Sequence, residues 1–177
     1  MYRAKASRCV TDEDYARFSR FYATRSKQFY SQYSLLDALL HLVNTLSESH
    51  ILLFDDDKGE LIAFIQYKIE DQIAFVDSAM LSKEYRSSRI FYEGLRDLAR
   101  HILAEYKNIQ TVRFHALADN LYLTRLYSKF ADNIGVRNGV NGLENIFAVN
   151  MEQLLKYLKL DLLKGGDFHD TSASEYK

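Results

Sequence analysis

The chain has 177 residues, of which 47% are hydrophobic and 27% charged, and its formal net charge is -1. This composition is typical of a globular protein, and it offers no excess positive charge for binding nucleic acid or an anionic membrane. Cys9 is the single cysteine, which excludes an internal disulfide, and no apolar run approaches the ~20 residues that span a bilayer. The first residues also lack the apolar core of a signal peptide. We therefore expect a cytoplasmic protein with neither membrane nor nucleic acid as partner.

The first part of the chain predicts one strand and two helices. A strand is expected over residues 2–10. Thr11 is a hydroxyl N-cap followed by three acidic residues, so a helix should run from there to about Tyr22. Apolar residues at helical spacing predict a second helix over residues 34–46, with an apolar face wide enough to be buried.

A short acidic turn separates the next two apolar runs, residues 51–54 and 61–65, and predicts a β-hairpin. Its three aspartates, Asp55 to Asp57, do not continue at the spacing of a calcium loop, so we expect a solvated turn and no metal site. A further strand over residues 73–81 can follow as the third member of an antiparallel meander.

The end of that strand is the most informative stretch of the sequence. Residues 82–89, Ser-Lys-Glu-Tyr-Arg-Ser-Ser-Arg, lead directly into a helix with apolar residues at helical spacing to about Glu105. A strand-to-helix turn presents unpaired backbone N–H groups at the positive end of a helix dipole, which favours binding of a phosphate group. An ordinary connection with surface arginines is the alternative.

The remainder predicts further alternating elements. A strand is expected over residues 111–116, and Asp119-Asn120 can cap a helix carrying Leu123, Leu126, Tyr127 and Phe130. Strands are expected over residues 135–140 and 146–150, and an amphipathic helix over 151–163. One domain is thus predicted over residues 1–163, with a polar, frayed tail over 164–177.

This order of elements, over residues 2–150, resembles the GCN5-related N-acetyltransferase (GNAT) fold. The resemblance is carried by the strand end and loop at Leu81 to Arg86, and by Asn120 followed by Leu126-Tyr127-Ser128-Lys129-Phe130. It implies an α/β (α+β) fold with a mixed, mainly antiparallel twisted sheet flanked by helices on both faces. It also implies acetyl-CoA as co-substrate.

Cofactor-binding residues follow from the same resemblance. Arg86 takes the leading position of the pyrophosphate loop, and Asn120 corresponds to a residue that contacts the pantetheine arm or phosphates. The implied set is Met80, Leu81, Arg86, Ser87, Ser88, Arg89, Ile90, Phe91 and Asn120. The loop departs from the family pattern, since Arg89 and Phe91 stand at the family's glycine positions and Ser87 replaces the frequent glycine directly after the arginine. Side chains at these positions can narrow a phosphate seat.

Two residues are expected to serve catalysis. The resemblance implies that Tyr127 protonates the departing thiolate, although the same position suits a core aromatic residue. Asp77 is the carboxylate within the strand over 73–81 and is the candidate general base; alternation places it with apolar neighbours. His115 is a second candidate base, and a structural histidine is the commoner case.

The expected function is transfer of an acetyl group from acetyl-CoA to a primary amine of a small molecule or protein. A GNAT-fold binding or interaction module without catalysis is the alternative, and transfer of a longer acyl chain is a third possibility. An aromatic cluster at Phe18, Phe21, Tyr22, Phe29, Tyr30 and Tyr33 can form a core, an acceptor wall or the surface of a homodimer.

Overall fold

The computed structural model describes residues 4–28, 31–86, 88–139, 141–162 and 168–170. The strands are β1 (Lys5–Arg8), β2 (His50–Asp55), β3 (Leu61–Glu70), β4 (Ile73–Leu81), β5 (Thr111–Leu117), β6 (Asp132–Gly139), β7 (Gly142–Asn150), β8 (Leu160–Leu162) and β9 (Phe168–Asp170). The helices are α1 (Asp12–Arg25), α2 (Leu35–Thr45), α3 (Ser88–Glu105), α4 (Leu121–Tyr127) and α5 (Met151–Tyr157). A mostly antiparallel sheet of seven strands has the order β1-β2-β3-β4-β5-β7-β6, so the predicted mixed α/β class is confirmed.

The chain divides into two compact units. The first contains Met1–Lys68 and Asp77–Gly94, and the second contains Ile69–Val76 and Leu95–Lys177. Each unit is described separately below.

The first unit is built around α1 and the β1-β2-β3 strands. Thr11 and Asp14 form a reciprocal capping box that starts α1, as its hydroxyl and acidic residues predict. Phe18 is fully buried and meets the ring of Phe64 edge-on at 4.8 Å between centroids. Both β1 and β3 pair with β2 in antiparallel fashion. The apolar core of the unit therefore joins α1 to this part of the sheet.

Helix α2 differs from its prediction in what it buries. Ser34 and Asp37 cap it as a second capping box, but only its Ala38 and Leu42 are buried. Its other large apolar side chains are between 46% and 76% exposed, namely Leu35, Leu36, Leu39, Leu40 and Val43. The expectation of a buried wide face is wrong, because a helix that packs by one stripe leaves the rest of an apolar surface uncovered.

The second unit carries the parallel strand pair. The start of β4, Ile73–Val76, pairs in parallel with Thr111–Phe114 of β5. Strand β7 pairs antiparallel with both β5 and β6, and β6 contains a bulge between Asn133 and Gly135. Val112, Phe114, Phe147 and Val149 are buried.

The end of the chain differs from the prediction. The helix expected over residues 151–163 stops at Tyr157, because Lys159 adopts a left-handed φ of 52° and its N–H bonds to the Lys156 carbonyl, three residues back, at 3.2 Å. Leu160–Leu162, which was expected to be helical, then pairs as a strand with Phe168–Asp170, which was expected to belong to the frayed tail. The rest of the predicted tail, 164–167 and 171–177, lies outside the described residues. No helix within the described residues is both long and apolar enough to cross a membrane.

Candidate functional site

The strand-to-helix connection of the first unit is the centre of the candidate site. Strand β4 ends at Leu81, and the Ser82 N–H donates to the carbonyl of Ile62 at 2.8 Å. A single 3₁₀ turn over Lys83–Tyr85 follows, closed by the Tyr85 N–H on the Ser82 carbonyl at 2.9 Å. Helix α3 begins at Ser88 and runs for 18 residues. The start of a helix presents backbone N–H groups and the positive end of the helix dipole, an arrangement that favours binding of an anion.

Two arginines lie at this end of α3. Both Arg86 and Arg89 are exposed. The Arg86 Nε atom donates a hydrogen bond to the Leu81 carbonyl oxygen at 3.3 Å, so the guanidinium group folds back over the strand end. Two positive charges next to a helix N-terminus are the chemistry expected of a diphosphate seat.

The other predicted cofactor residues are placed as follows. Met80 is buried, and Leu81 is half-buried with its carbonyl engaged by Arg86. Ile90 and Phe91 are half-buried. Ser87 lies outside the described residues. Ser88 is the first residue of α3.

A support for this loop was missed by the sequence analysis. Asp56 is only 6% exposed, so it is not part of a solvated turn as expected. One carboxylate oxygen accepts the N–H groups of Lys58 and Glu60, each at 2.9 Å. The other accepts the Tyr85 hydroxyl at 3.3 Å. One buried carboxylate therefore ties the β2–β3 turn to the loop that precedes α3.

Asp77, the predicted base, lies in the middle of β4. The strand buries Ala74, Val76 and Met80, and Asp77 is half-buried on the alternate set. The apolar neighbours predicted for Asp77, such as Phe75 and Ala79, are likewise half-buried. Asp77 is therefore accessible on one side, and its role as a base stays a prediction.

In the second unit, Asn120 and Tyr127 mark the two ends of α4. The Asn120 side-chain oxygen accepts the Leu123 N–H at 3.1 Å, so it is the helix N-cap. Tyr127 is 3% exposed, and its ring lies 5.0 Å from that of Phe114 and 5.6 Å from that of Phe147. Burial raises the pKa of the Tyr127 hydroxyl. The phenol therefore belongs to the core of this unit, and its part in proton transfer stays a prediction.

His115, the second candidate base, lies on β5 of the same unit. Its ring centroid is 6.4 Å from that of Phe75. Burial, followed by the positive charge of Arg137, lowers the pKa of His115 to about 4. The imidazole is therefore uncharged near neutral pH.

Candidate metal ligands are not gathered anywhere in the described part of the chain, in which no group of three or more His, Cys, Asp or Glu side chains could hold an ion.

Comparison with solved structures places this architecture among N-acetyltransferases. The ribosomal-protein-S18-alanine N-acetyltransferase of Escherichia coli superposes with a TM-score of 0.63 at 14% identity, over 85% of this chain and 94% of that one. The spermidine N-acetyltransferase of Vibrio cholerae, in complex with CoA and spermine, gives 0.60 at 13% identity over 85% and 98%. An aminoglycoside N(6')acetyltransferase of Legionella pneumophila gives 0.66 at 11% identity over 89% and 97%. At these identities the likeness shows a shared fold.

The family follows from the sequence itself. Residues 13–131 match the model of the acetyltransferase (GNAT) family. The chain belongs to the GNAT family, as its resemblance indicated. No curated protein matches it in sequence.

Proposed function

We propose that the protein is an N-acetyltransferase that uses acetyl-CoA to acetylate a primary amine of a small molecule or a protein. The observation that carries this proposal is the loop of the first unit, where Arg86 and Arg89 flank the start of an 18-residue helix directly after β4. Members of the family are acyltransferases, and one structural neighbour was solved with CoA. We expect the protein to act in the cytoplasm, on neither nucleic acid nor membrane, and to be able to form a homodimer.

The proposed cofactor roles divide between side chains and main chain. Arg86 and Arg89 bind the diphosphate, together with the N–H groups from Ser87 to Phe91. Met80 and Leu81 supply main-chain groups to the pantetheine amides. For Leu81 this requires that its carbonyl first release the Arg86 side chain, which bonds to it at 3.3 Å. Asn120 contributes a further polar contact to the cofactor.

The proposed reaction is direct transfer. The neutral amine attacks the thioester carbonyl, so that a C–N bond forms as the C–S bond breaks, and the products are an amide and the free thiol of CoA. Asp77 accepts the proton lost by the amine, and Tyr127 gives a proton to the thiolate. Asp77 is half-buried and so accessible on one side, and the raised pKa of Tyr127 means that its hydroxyl carries its proton at neutral pH.

A GNAT-fold module without catalysis is the second candidate, and two features of the loop favour it. The residues after Arg86 are not glycines, and the Arg86 side chain already has a partner in the Leu81 carbonyl. If the Arg86 side chain keeps this hydrogen bond and never binds a phosphate, the protein is an interaction module with the same fold.

Calorimetry with acetyl-CoA, followed by a thiol-release assay with primary amines, tests both candidates. Binding with thiol release supports the transferase. The absence of binding at millimolar acetyl-CoA would reject it and leave the module. A mass spectrum of the product made with mixed acyl-CoAs identifies the acyl group that is transferred.

A further inference from the structure

One face of the sheet in the second unit carries a group of charged residues that the proposed reaction does not use. Directly opposed residues in neighbouring strands point to the same side of a sheet. The register places Phe75 beside Arg113, His115 beside Ile146, and Arg137 beside Glu144. We call the residues Phe75, Arg113, His115, Asp132, Arg137 and Glu144 the charged face.

Two polar atoms of this face are buried without a hydrogen-bond partner among the described residues. They are the Nε atom of Arg113 and the Nδ1 atom of His115. The Arg113 guanidinium lies 5.5 Å from the centroid of the Phe75 ring, which also contacts His115. Leaving such groups unpaired costs free energy, and a ligand that supplied partners would recover it. Both side chains are half-buried, so small rotations would bring these atoms to a ligand.

Small residues leave room at the centre of the charged face. Ala148 lies between Arg113 and Asp132 in the register, and Gly135 lies beside Ile146. A Cβ atom built on Gly135 would have nothing within 4 Å. The open part of this face therefore lies around Ala148 and Gly135, with the side chain of Ile146 beside it, between Gly135 and His115.

The charges of the face select the kind of ligand. Arg137 donates to Glu144 at 2.7 Å, which neutralises that pair. Arg113 and Asp132 remain, with opposite signs and two strands apart, and the imidazole of His115 is uncharged. A dianionic phosphate would meet repulsion from the carboxylate of Asp132. A ligand with a carboxylate for Arg113 and an amino group for the unpaired nitrogen of His115 would satisfy both side chains.

We propose that the charged face binds the acceptor as a zwitterion, with its carboxylate on Arg113 and its amino group towards His115. The acceptor class is then a free amino acid, which presents both groups. This inference rests on the proposed acetyltransferase function for the identity of the ligand as acceptor. The binding of a zwitterion itself does not depend on that function.

Matched pairs of amines test the acceptor class by steady-state kinetics. Glycine, β-alanine and L-phenylalanine are each compared with the corresponding amide, which keeps the amine and lacks the carboxylate. The ammonium groups of the amides are more acidic, so at a given pH a larger fraction of each amide is the neutral amine that reacts. This difference alone would favour the amides, so it cannot produce a preference for the acids. We expect kcat/KM to favour at least one acid over its amide by roughly tenfold or more, the value of a charge-assisted contact.

The variant Arg113→Gln should bring that ratio close to one, while Arg125→Gln, an exposed arginine at the end of α4, should leave it unchanged. Melting temperature and CoA calorimetry establish that each variant is folded. An acid-to-amide ratio that is the same in folded Arg113→Gln and wild type would overturn the proposal, as would a preference for every amide.

A direct measurement separates failure of this inference from failure of the proposed function. The imidazole NMR signals of His115, assigned by their loss in His115→Gln, are followed during titration with glycine, glycinamide and inorganic phosphate. Shifts with glycine that disappear in Arg113→Gln support the zwitterion site even if no amine is acetylated. No shift with glycine, or a response to phosphate or glycinamide that equals or exceeds it, would overturn the site even if acetyl-CoA binds.

Discussion

Arg86 is where the proposed cofactor site can be tested most directly. In Arg86→Gln the charge is lost, while a shorter polar side chain that can still donate a hydrogen bond remains. A charge-assisted contact to phosphate contributes roughly 1.5–3 kcal/mol. Arg86 must give up its 3.3 Å bond to the Leu81 carbonyl to make that contact, and an exposed hydrogen bond of this kind is worth about 0.5–1 kcal/mol. The net loss of about 1–2 kcal/mol corresponds to a roughly five- to thirtyfold weaker Kd for CoA.

Calorimetry with a ligand series assigns that loss to the diphosphate. CoA and dephospho-CoA both carry the diphosphate and should weaken equally, whereas pantetheine lacks it and should bind wild type and variant alike. Arg20→Gln, at an exposed position of α1, is the control for the change in net charge. An Arg86 variant that binds CoA as wild type does, or that loses affinity for pantetheine as well, would refute the assignment of Arg86 to the diphosphate.

Three further outcomes follow from the burial of individual side chains. Tyr127→Phe should lower kcat with little change in CoA affinity if its phenol protonates the thiolate, and an unaltered kcat would assign Tyr127 to packing alone. On α2, Leu42→Ala should cost about 2–5 kcal/mol in urea unfolding, because Leu42 is 3% exposed. Leu40→Ala, at 52% exposure, should stay within ~0.5 kcal/mol, and equal losses would contradict the description of this helix. Burial raises the pKa of Cys9 to about 12, so its thiol should resist alkylation at pH 8 in the folded protein. The unfolded chain then releases this proton first, and stability should fall as the pH rises from about 9 towards 12, measured against Cys9→Ser, in which this fall should be smaller.

The sequence predicted the elements best where local signals agree with the tertiary structure. Strand β4 was predicted at Ile73–Leu81 and is observed there, since its apolar run is bounded by polar turns on both sides. The capping boxes at Thr11 and Ser34 lie at the starts of α1 and α2. The end of α5 was not predicted, because the residue that ends the helix in a left-handed conformation is Lys159, whereas glycine usually occupies such a position.

The sequence indicated which loop forms the candidate site, but it did not indicate the long-range hydrogen bond that holds this loop. The loop around Arg86 stands out because strand, turn and helix are contiguous in sequence. The pairing of Tyr85 with Asp56 joins residues 29 positions apart, and no local pattern indicates it. The grouping of Arg113 with Glu144 and Arg137 likewise depends on the register of β5, β7 and β6, which the sequence alone does not fix.

The carboxylate of Asp56 also determines how the β2–β3 hairpin tolerates engineering. Exposed surface turns ordinarily tolerate inserted peptides, because few hydrogen bonds hold their backbone in place. In this turn the backbone N–H groups of Lys58 and Glu60 donate to one carboxylate oxygen of Asp56, and the Tyr85 hydroxyl donates to the other. An epitope tag placed after Asp57 would pull those N–H groups away from Asp56 and loosen the loop that precedes α3, so we expect this hairpin to tolerate no change in length even though its tip faces solvent.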